Sequence, residues 1–250
     1  MAKTRKIIND PVFGFLSIPD GVLFQILQHP FMQRLNRIRQ LGLSFFVYPG
    51  AMHSRFLHSL GAMHLMHEAI TSLREKGVEI TDNEATASMA AILMHDIGHG
   101  PFSHVFEEAG MLPSGMSHED ISLMMMQEIK SEMGKVKTEN GKVKTENYEQ
   151  VLSLAIDIFQ DKYPKHFLHQ LISSQLDVDR LDYLCRDSFF CGVTEGSVAS
   201  ARILKMMNVV DNHLVVEVKG IYSVEKFLVA RRLMYWQVYL HHTSVAAEQL

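Results

Sequence analysis

The chain predicts a mainly α fold, and three observations carry that prediction. Apolar residues recur at helical spacing through most of its 250 residues. Helix-start signals open successive segments, and only residues 209–218 alternate polar and apolar as a strand pair would. No apolar run approaches the ~20 residues that would span a bilayer, so the helices are expected to bury their faces against one another.

Taken in order, Pro30 suits a first helical turn, and Phe31, Leu35 and Ile38 follow at helical spacing. Pro49-Gly50 breaks that pattern, and a helix resumes near Ser54 with Leu57, Leu60, Leu65 and Ile70 leading towards Lys76-Gly77. Thr81 and Glu84 have the form of a capping box. The stretch that follows, Ala85 to Met94, is nearly apolar all round, which predicts a helix buried on most sides that delivers His95-Asp96 into the interior. Gly98 and Gly100 let the backbone turn sharply, Pro101 starts another helix, and Ser117 with Asp120 marks the next start. Gly134-Lys135-Val136-Lys137-Thr138-Glu139-Asn140 recurs unchanged at 141–147. A tandem polar copy of this kind predicts a mobile surface loop over 134–147 with no catalytic role. Val209 to Val218, around Asp211-Asn212, predicts a small β-hairpin, and a long helix is expected from about Ser223 to the end. Ala246-Ala247-Glu248-Gln249-Leu250 holds no stop signal, so residues 1–250 are expected to form one domain that is incomplete at its C-terminus.

Composition narrows the function classes. The chain is 47% hydrophobic and 21% charged, in the ordinary globular range. A net charge of -4 gives no reason to expect a general nucleic-acid binder. Cys185 and Cys191 cannot build a disulfide framework and suit a reducing compartment. The basic start, Met1 to Lys6, leads to no apolar signal core, so a cytoplasmic protein without a membrane partner is expected. There is no Walker loop, no dinucleotide-type glycine pattern and no zinc-finger cysteine spacing.

Chemistry concentrates in His58, in His95-Asp96 and in the acidic segment Asp177-Val178-Asp179. An isolated buried His-Asp pair is an ordinary core hydrogen bond, but a buried carboxylate without a partner costs roughly several kcal/mol. A divalent metal meets that cost, and neutral imidazoles with carboxylates suit Zn, Mn, Fe, Co or Ni. Two His and two Asp leave coordination positions open, the mark of a catalytic site. The remaining ligand is sought between Asp177 and Asp179, where Val178, Leu181 and Cys185 form an apolar stripe and Asp179 and Tyr183 share another face. His99, His104 and His118 are candidates for acid–base work. Arg55, Arg180, Arg231 and Arg232 offer fixed positive charge for phosphate oxygens. His29, His64, His67, His166, His169 and His213 lack such company and read as structural or surface residues.

These motifs resemble the HD-domain phosphohydrolases, and in particular the deoxynucleoside triphosphate triphosphohydrolases. The carriers are Tyr48-Pro49-Gly50-Ala51-Met52-His53-Ser54-Arg55-Phe56-Leu57-His58-Ser59-Leu60-Gly61, then His95 to His104, then Asp177-Val178-Asp179-Arg180-Leu181-Asp182-Tyr183. The resemblance implies a helical HD fold and one divalent metal per site (Mn, Fe, Zn, Co, Ni or Mg) held by His58, His95, Asp96 and Asp179. It implies His104 and His118 beside the scissile phosphate, with His118 protonating the leaving oxygen, and Arg55, Arg180 and Arg231 on the phosphates. Gln40, Leu41, Tyr183 and Asp187 would surround the deoxyribose. The implied reaction releases a deoxynucleoside and intact triphosphate from a deoxynucleoside triphosphate. Rival readings are another HD phosphohydrolase (a nucleoside monophosphatase or a cyclic-nucleotide phosphodiesterase) and a non-catalytic nucleotide-sensing protein. The resemblance also implies a dimer or tetramer, with a nucleotide activator in some relatives, and allows a single-stranded nucleic acid that nothing in the residues calls for. Tyr235 and His242 depart from the pattern, standing where some relatives carry a histidine and a lysine.

Overall fold

The structure, a computed structural model, describes residues 5–102, 105, 110, 115–135 and 148–249. It opens on an antiparallel hairpin, β1 (Arg5–Asp10) and β2 (Gly14–Pro19), in which Asp10 pairs with Gly14. Asp10 builds the turn itself: its Oδ1 accepts the backbone N–H groups of Val12 and Phe13, each at 2.9 Å. Leu16 and Ile18 enter the core from this hairpin, while Ile7 and Phe15 face solvent. The sequence reading holds no such hairpin, because its strands are short and the Pro11–Gly14 turn interrupts the alternation.

Helices α1 (Val22–Gln28) and α2 (Pro30–Arg34) follow, with Pro30 in the first turn and the His29 imidazole accepting the Phe31 N–H. The helical spacing through Ile38 is not used as one helix. The chain tightens at Leu35–Arg37 and then extends, because Gln40 N–H bonds the His53 carbonyl at 3.0 Å and Arg55 N–H bonds the Ile38 carbonyl at 2.9 Å. That short ladder ties the segment around Gln40 to the start of α3 (Arg55–Glu75), where Ser54 is the cap.

The core centres on α4 (Asp82–Met94). Thr81 and Glu84 form the capping box, and Ala87 to Met94 are all buried. The helix is apolar all round because α3 packs on one side and α6 (Tyr148–Phe159) on another. Helix α5 (His118–Lys135) packs on α6, so Gly134 and Lys135 close a helix, while repeat residues 136–147 lie outside the described residues. The helix expected from Pro101 falls largely outside them too, as does His104.

Helix α7 (His166–Ile172) leads to α8 (Val178–Cys191), which packs along α3. Asp177 caps α8 by accepting the Arg180 N–H at 2.8 Å, and Gly192 ends it at φ 70°. After α9 (Ser200–Met206), β3 (Met207–Val210) and β4 (His213–Val216) form the expected hairpin, with Asp211 and Asn212 at φ 48° and 64°. The expected long C-terminal helix is broken. Helix α10 (Ile221–Met234) passes into a π-helical turn at Tyr235–Tyr239, and α11 (His242–Gln249) starts afresh. The wider turn is held from outside by the Tyr48 hydroxyl on the Gln237 carbonyl and by the Tyr239 hydroxyl on Asp187. Among the described residues no helix is long and apolar enough to cross a membrane.

Candidate active site

Three elements bring the metal-ligand candidates together. His58 lies one turn into α3, His95 and Asp96 close α4, and Asp179 sits in the first turn of α8. His58 Nε2 is 3.1 Å from Asp179 Oδ1 and 3.3 Å from His95 Nε2, and His95 Nε2 is 3.5 Å from Asp179 Oδ1. Asp96 lies alongside, with Oδ1 at 3.3 Å from His95 Nε2 and Oδ2 at 3.8 Å from His58 Nε2, while the ligand atoms that all lie within 4.8 Å of one another are those of His58, His95 and Asp179. An ion about 2.1 Å from each ligand spans ligand pairs roughly 3–4.2 Å apart. The spacing of His58, His95 and Asp179 fits one ion.

The two imidazoles are aimed from behind. His58 Nδ1 donates to Asp182 Oδ2 at 2.7 Å, and His95 Nδ1 donates to the Ile92 carbonyl at 2.6 Å, so both Nε2 atoms face inward. Asp182 is itself clamped by Arg186, whose Nε and Nη2 donate to Oδ2 and Oδ1 at 2.9 Å each, while Arg186 Nη1 donates to Asp10 Oδ2 at 2.7 Å. On the other flank Arg55 Nη1 donates to Asp96 Oδ2 at 2.7 Å. In this connected cluster the four carboxylates of Asp10, Asp96, Asp179 and Asp182 face two guanidiniums, Arg55 and Arg186. A divalent ion would balance the remaining charge.

The titrations follow from that surplus. Burial pushes His58 down, but hydrogen bonds and charge from Asp179 and Asp182 override it and raise the imidazole to about 10. Burial also opposes protonation of His95, and Asp96 and Asp179 raise it. Burial lowers His99 to about 4 despite the Asp96 carboxylate 3.4 Å away, so its ring is neutral near neutrality. The His118 ring, at the head of α5, stacks on His99 with centroids 4.0 Å apart.

The residues assigned by resemblance to the sugar and phosphates form a second, adjoining network. Asp187 is buried, with Oδ1 held by His53 Nε2 at 2.8 Å and Oδ2 by the Tyr239 hydroxyl at 2.8 Å. Gln40 is joined to His53 through the backbone, and Leu41 follows it, half-buried on the core. Tyr183 and Tyr235 both meet Tyr239 edge-on, at 6.0 and 5.2 Å between centroids, and the Arg231 guanidinium lies 5.8 Å from the Tyr235 ring. Arg180 donates from Nε to the Ser174 carbonyl at 2.8 Å and interacts with the Tyr183 hydroxyl. Burial and the Asp179 charge push that phenol up to about 12. Arg232 instead stacks on exposed Trp236, at 4.2 Å.

Sequence reasoning missed Asp10, His53, Asp182, Arg186 and Tyr239. Asp182 and Arg186 left a faint signal, an i,i+4 pair in the same acidic segment. A second signal was Gly61 inside a helix: a Cβ there would lie 1.9 Å from Asp182 Oδ1 and 2.1 Å from Arg186 Nη2. Asp10 and His53 are brought in by the fold and gave none.

Comparison with known proteins places the chain in a family. Residues 55–187 match the HD domain, and residues 198–250 match the HD associated region. The uncharacterized protein YwfO of Bacillus subtilis is 34% identical over 98% of this chain and 54% of its own length. The deoxynucleoside triphosphate triphosphohydrolase SAMHD1 homolog of Dictyostelium discoideum is 32% identical over 98% of the chain and 48% of its own. Human deoxynucleoside triphosphate triphosphohydrolase SAMHD1 is 33% identical over 84% of the chain and 37% of its own. A crystal structure of a phosphohydrolase from Bacteroides thetaiotaomicron superposes with a TM-score of 0.89 at 63% identity, covering 98% of this chain and 57% of that one. The chain thus spans about half the length, or less, of these curated relatives. With the His95-Asp96 motif inside the matched region, the chain belongs to the HD-domain family.

Proposed function

We propose that this chain carries the catalytic domain of a metal-dependent phosphohydrolase that cleaves deoxynucleoside triphosphates to deoxynucleoside and inorganic triphosphate. The observation that carries the reading is the convergence of His58, His95 and Asp179, with Asp96 Oδ1 3.3 Å from His95 Nε2, beside the buried Asp187–Tyr239 network. Those four residues would hold one divalent ion, Mn, Fe, Zn, Co, Ni or Mg. When bound, such an ion acidifies water and polarises a phosphoryl oxygen.

The chain's own residues take the remaining work. Arg180 and Arg231 supply positive charge to the phosphates. Arg55 acts at the phosphate end while its Nη1 fixes the Asp96 carboxylate. His118 donates the proton that the leaving oxygen needs, with His104 beside the same phosphate. The neutral His99 ring supports His118 by stacking. Tyr183 sits under the deoxyribose with Gln40 and Leu41, and Asp187 accepts from a sugar hydroxyl with the lone pairs that His53 and Tyr239 leave. The names of the SAMHD1 relatives support the substrate class.

Ion-exchange separation of products after incubation with each deoxynucleoside triphosphate and Mn²⁺ tests the reading. Deoxynucleoside with inorganic triphosphate is the expected pair, absent in His95→Ala and Asp179→Ala. Monophosphate with pyrophosphate would mean that a different bond is cut, and would overturn it.

A further inference from the structure

We propose that Asp10 and Arg186 are positioning residues for His58, so that docking of the N-terminal hairpin and metal binding form one coupled equilibrium. The inference rests on the metal reading above and concerns residues that never touch the ion. Asp10 ends β1, far from the HD motif in sequence, yet it is 2% exposed and Arg186 is 0% exposed. Arg186 divides its donors between two carboxylates: Nη1 holds Asp10 Oδ2 at 2.7 Å, while Nε and Nη2 hold Asp182 at 2.9 Å each. The guanidinium also lies 5.6 Å from the Phe13 ring in the hairpin turn. One oxygen, Asp182 Oδ2, accepts from both Arg186 Nε and His58 Nδ1. Arg186 and His58 therefore compete for that oxygen, and Asp10 sets how much of the guanidinium charge falls on Asp182.

The sign follows. Without the Asp10 charge, Arg186 leans wholly on Asp182, the carboxylate polarises His58 less, and the cluster loses a negative charge. Both effects weaken a cation at His58 Nε2. Linkage makes the coupling reciprocal, so the ion must stabilise the docked hairpin as much as the hairpin stabilises the ion.

Asp10→Asn is the direct test. The amide keeps an oxygen for the Val12 and Phe13 N–H groups but turns an NH₂ towards the Arg186 Nη1 donor. Mn²⁺ affinity, read from the free-ion EPR signal, is expected to fall about tenfold, the scale of outer-shell substitutions at metal sites. In the unaltered chain, saturating Mn²⁺ is expected to slow hydrogen exchange of the β1 and β2 amides by a similar factor. A folded Asp10→Asn chain that binds Mn²⁺ within twofold of the parent overturns the coupling and leaves the metal reading standing. If that variant does not fold, the exchange experiment decides: equal protection with and without Mn²⁺ overturns the proposal. A parent chain that binds none of Mn²⁺, Fe²⁺, Zn²⁺, Co²⁺, Ni²⁺ and Mg²⁺ overturns the metal reading itself.

Discussion

His58 is fully enclosed and faces two carboxylates, Asp179 on Nε2 and Asp182 on Nδ1. Without a metal, a proton on the imidazole takes the cation's place, which is why its pKa rises to about 10 against the burial that opposes it. A raised folded-state pKa contributes stability that is fully present below the unfolded value, about 6.5 for histidine, and is lost as pH climbs through the folded value. Urea unfolding in chelator should therefore show stability declining from about pH 6.5 towards 10, the folded value. Saturating Mn²⁺ should flatten that decline, because metal replaces the proton. Calorimetric titration near neutrality, repeated in buffers of different ionisation enthalpy, should show proton release on Mn²⁺ binding. At this scale the sequence was legible where residue type carries the chemistry: it singled out His58, His95-Asp96 and the segment Asp177–Asp179, left the choice of Asp179 to the family resemblance, and the fold brings His58, His95 and Asp179 together. Asp182 was less so, since an acidic residue on a helix reads equally as a solvated face, and only burial against Arg186 distinguishes it.

Elements deliver these side chains, and two of them depend on a single residue. Helices α3 and α8 approach closely because Gly61 has no Cβ where Asp182 and Arg186 lie against it. Gly61→Ala forces the ion pair aside and is expected to cost about 1–3 kcal/mol, the usual range for overpacking. Because the displaced Asp182 also holds His58, Mn²⁺ affinity should fall with it, which separates this from simple loss of packing. Helix α4 depends on Glu84, which accepts from the Thr81 N–H at 2.7 Å, from Lys165 and from the Tyr163 hydroxyl at 2.7 Å. Burial opposes its charge, yet the Lys165 and Thr81 bonds win and lower it to about 2. A lowered pKa stabilises above the unfolded value of about 4.5 and is lost as pH falls through about 2. Urea melts of Glu84→Gln at neutral pH should show a loss of about 1–3 kcal/mol, the scale of a charged hydrogen bond. That gap should close as pH falls towards about 2. The capping box and the Asp211-Asn212 hairpin were legible because each is a local rule. The π-helical turn was not, because Tyr48 and Asp187 impose it from distant parts of the chain. The same holds for the end of α2, set by the ladder to His53 and Arg55.

For the whole molecule, the candidate metal site is a joint between the packed layers. His58 comes from α3, His95 and Asp96 from the end of α4, Asp179 from α8, and the chain Asp182–Arg186–Asp10 adds the N-terminal hairpin. One hydrophobic core runs through all of these elements, from Leu16 in the hairpin to Val238 in the π-helical turn. An ion that binds only when all four ligands meet binds the folded state alone. At a free concentration about a hundred times Kd, such a ligand adds about 2.7 kcal/mol to the unfolding free energy. For a domain of this size each kcal/mol moves Tm by about 2–4 °C, so Mn²⁺ should raise Tm by roughly 5–10 °C. The rise should be cooperative, seen alike by the single tryptophan, Trp236, which lies outside the ligand cluster, and by helical circular dichroism. His58→Ala should remove the shift, since it deletes one ligand, and should lower the metal-free Tm, since it takes away the proton that Asp179 and Asp182 hold on the ring. A Tm shift of the same size in His58→Ala would place the ion elsewhere. A shift seen by one probe and not the other would mean that the site orders only its own surroundings and does not join the layers.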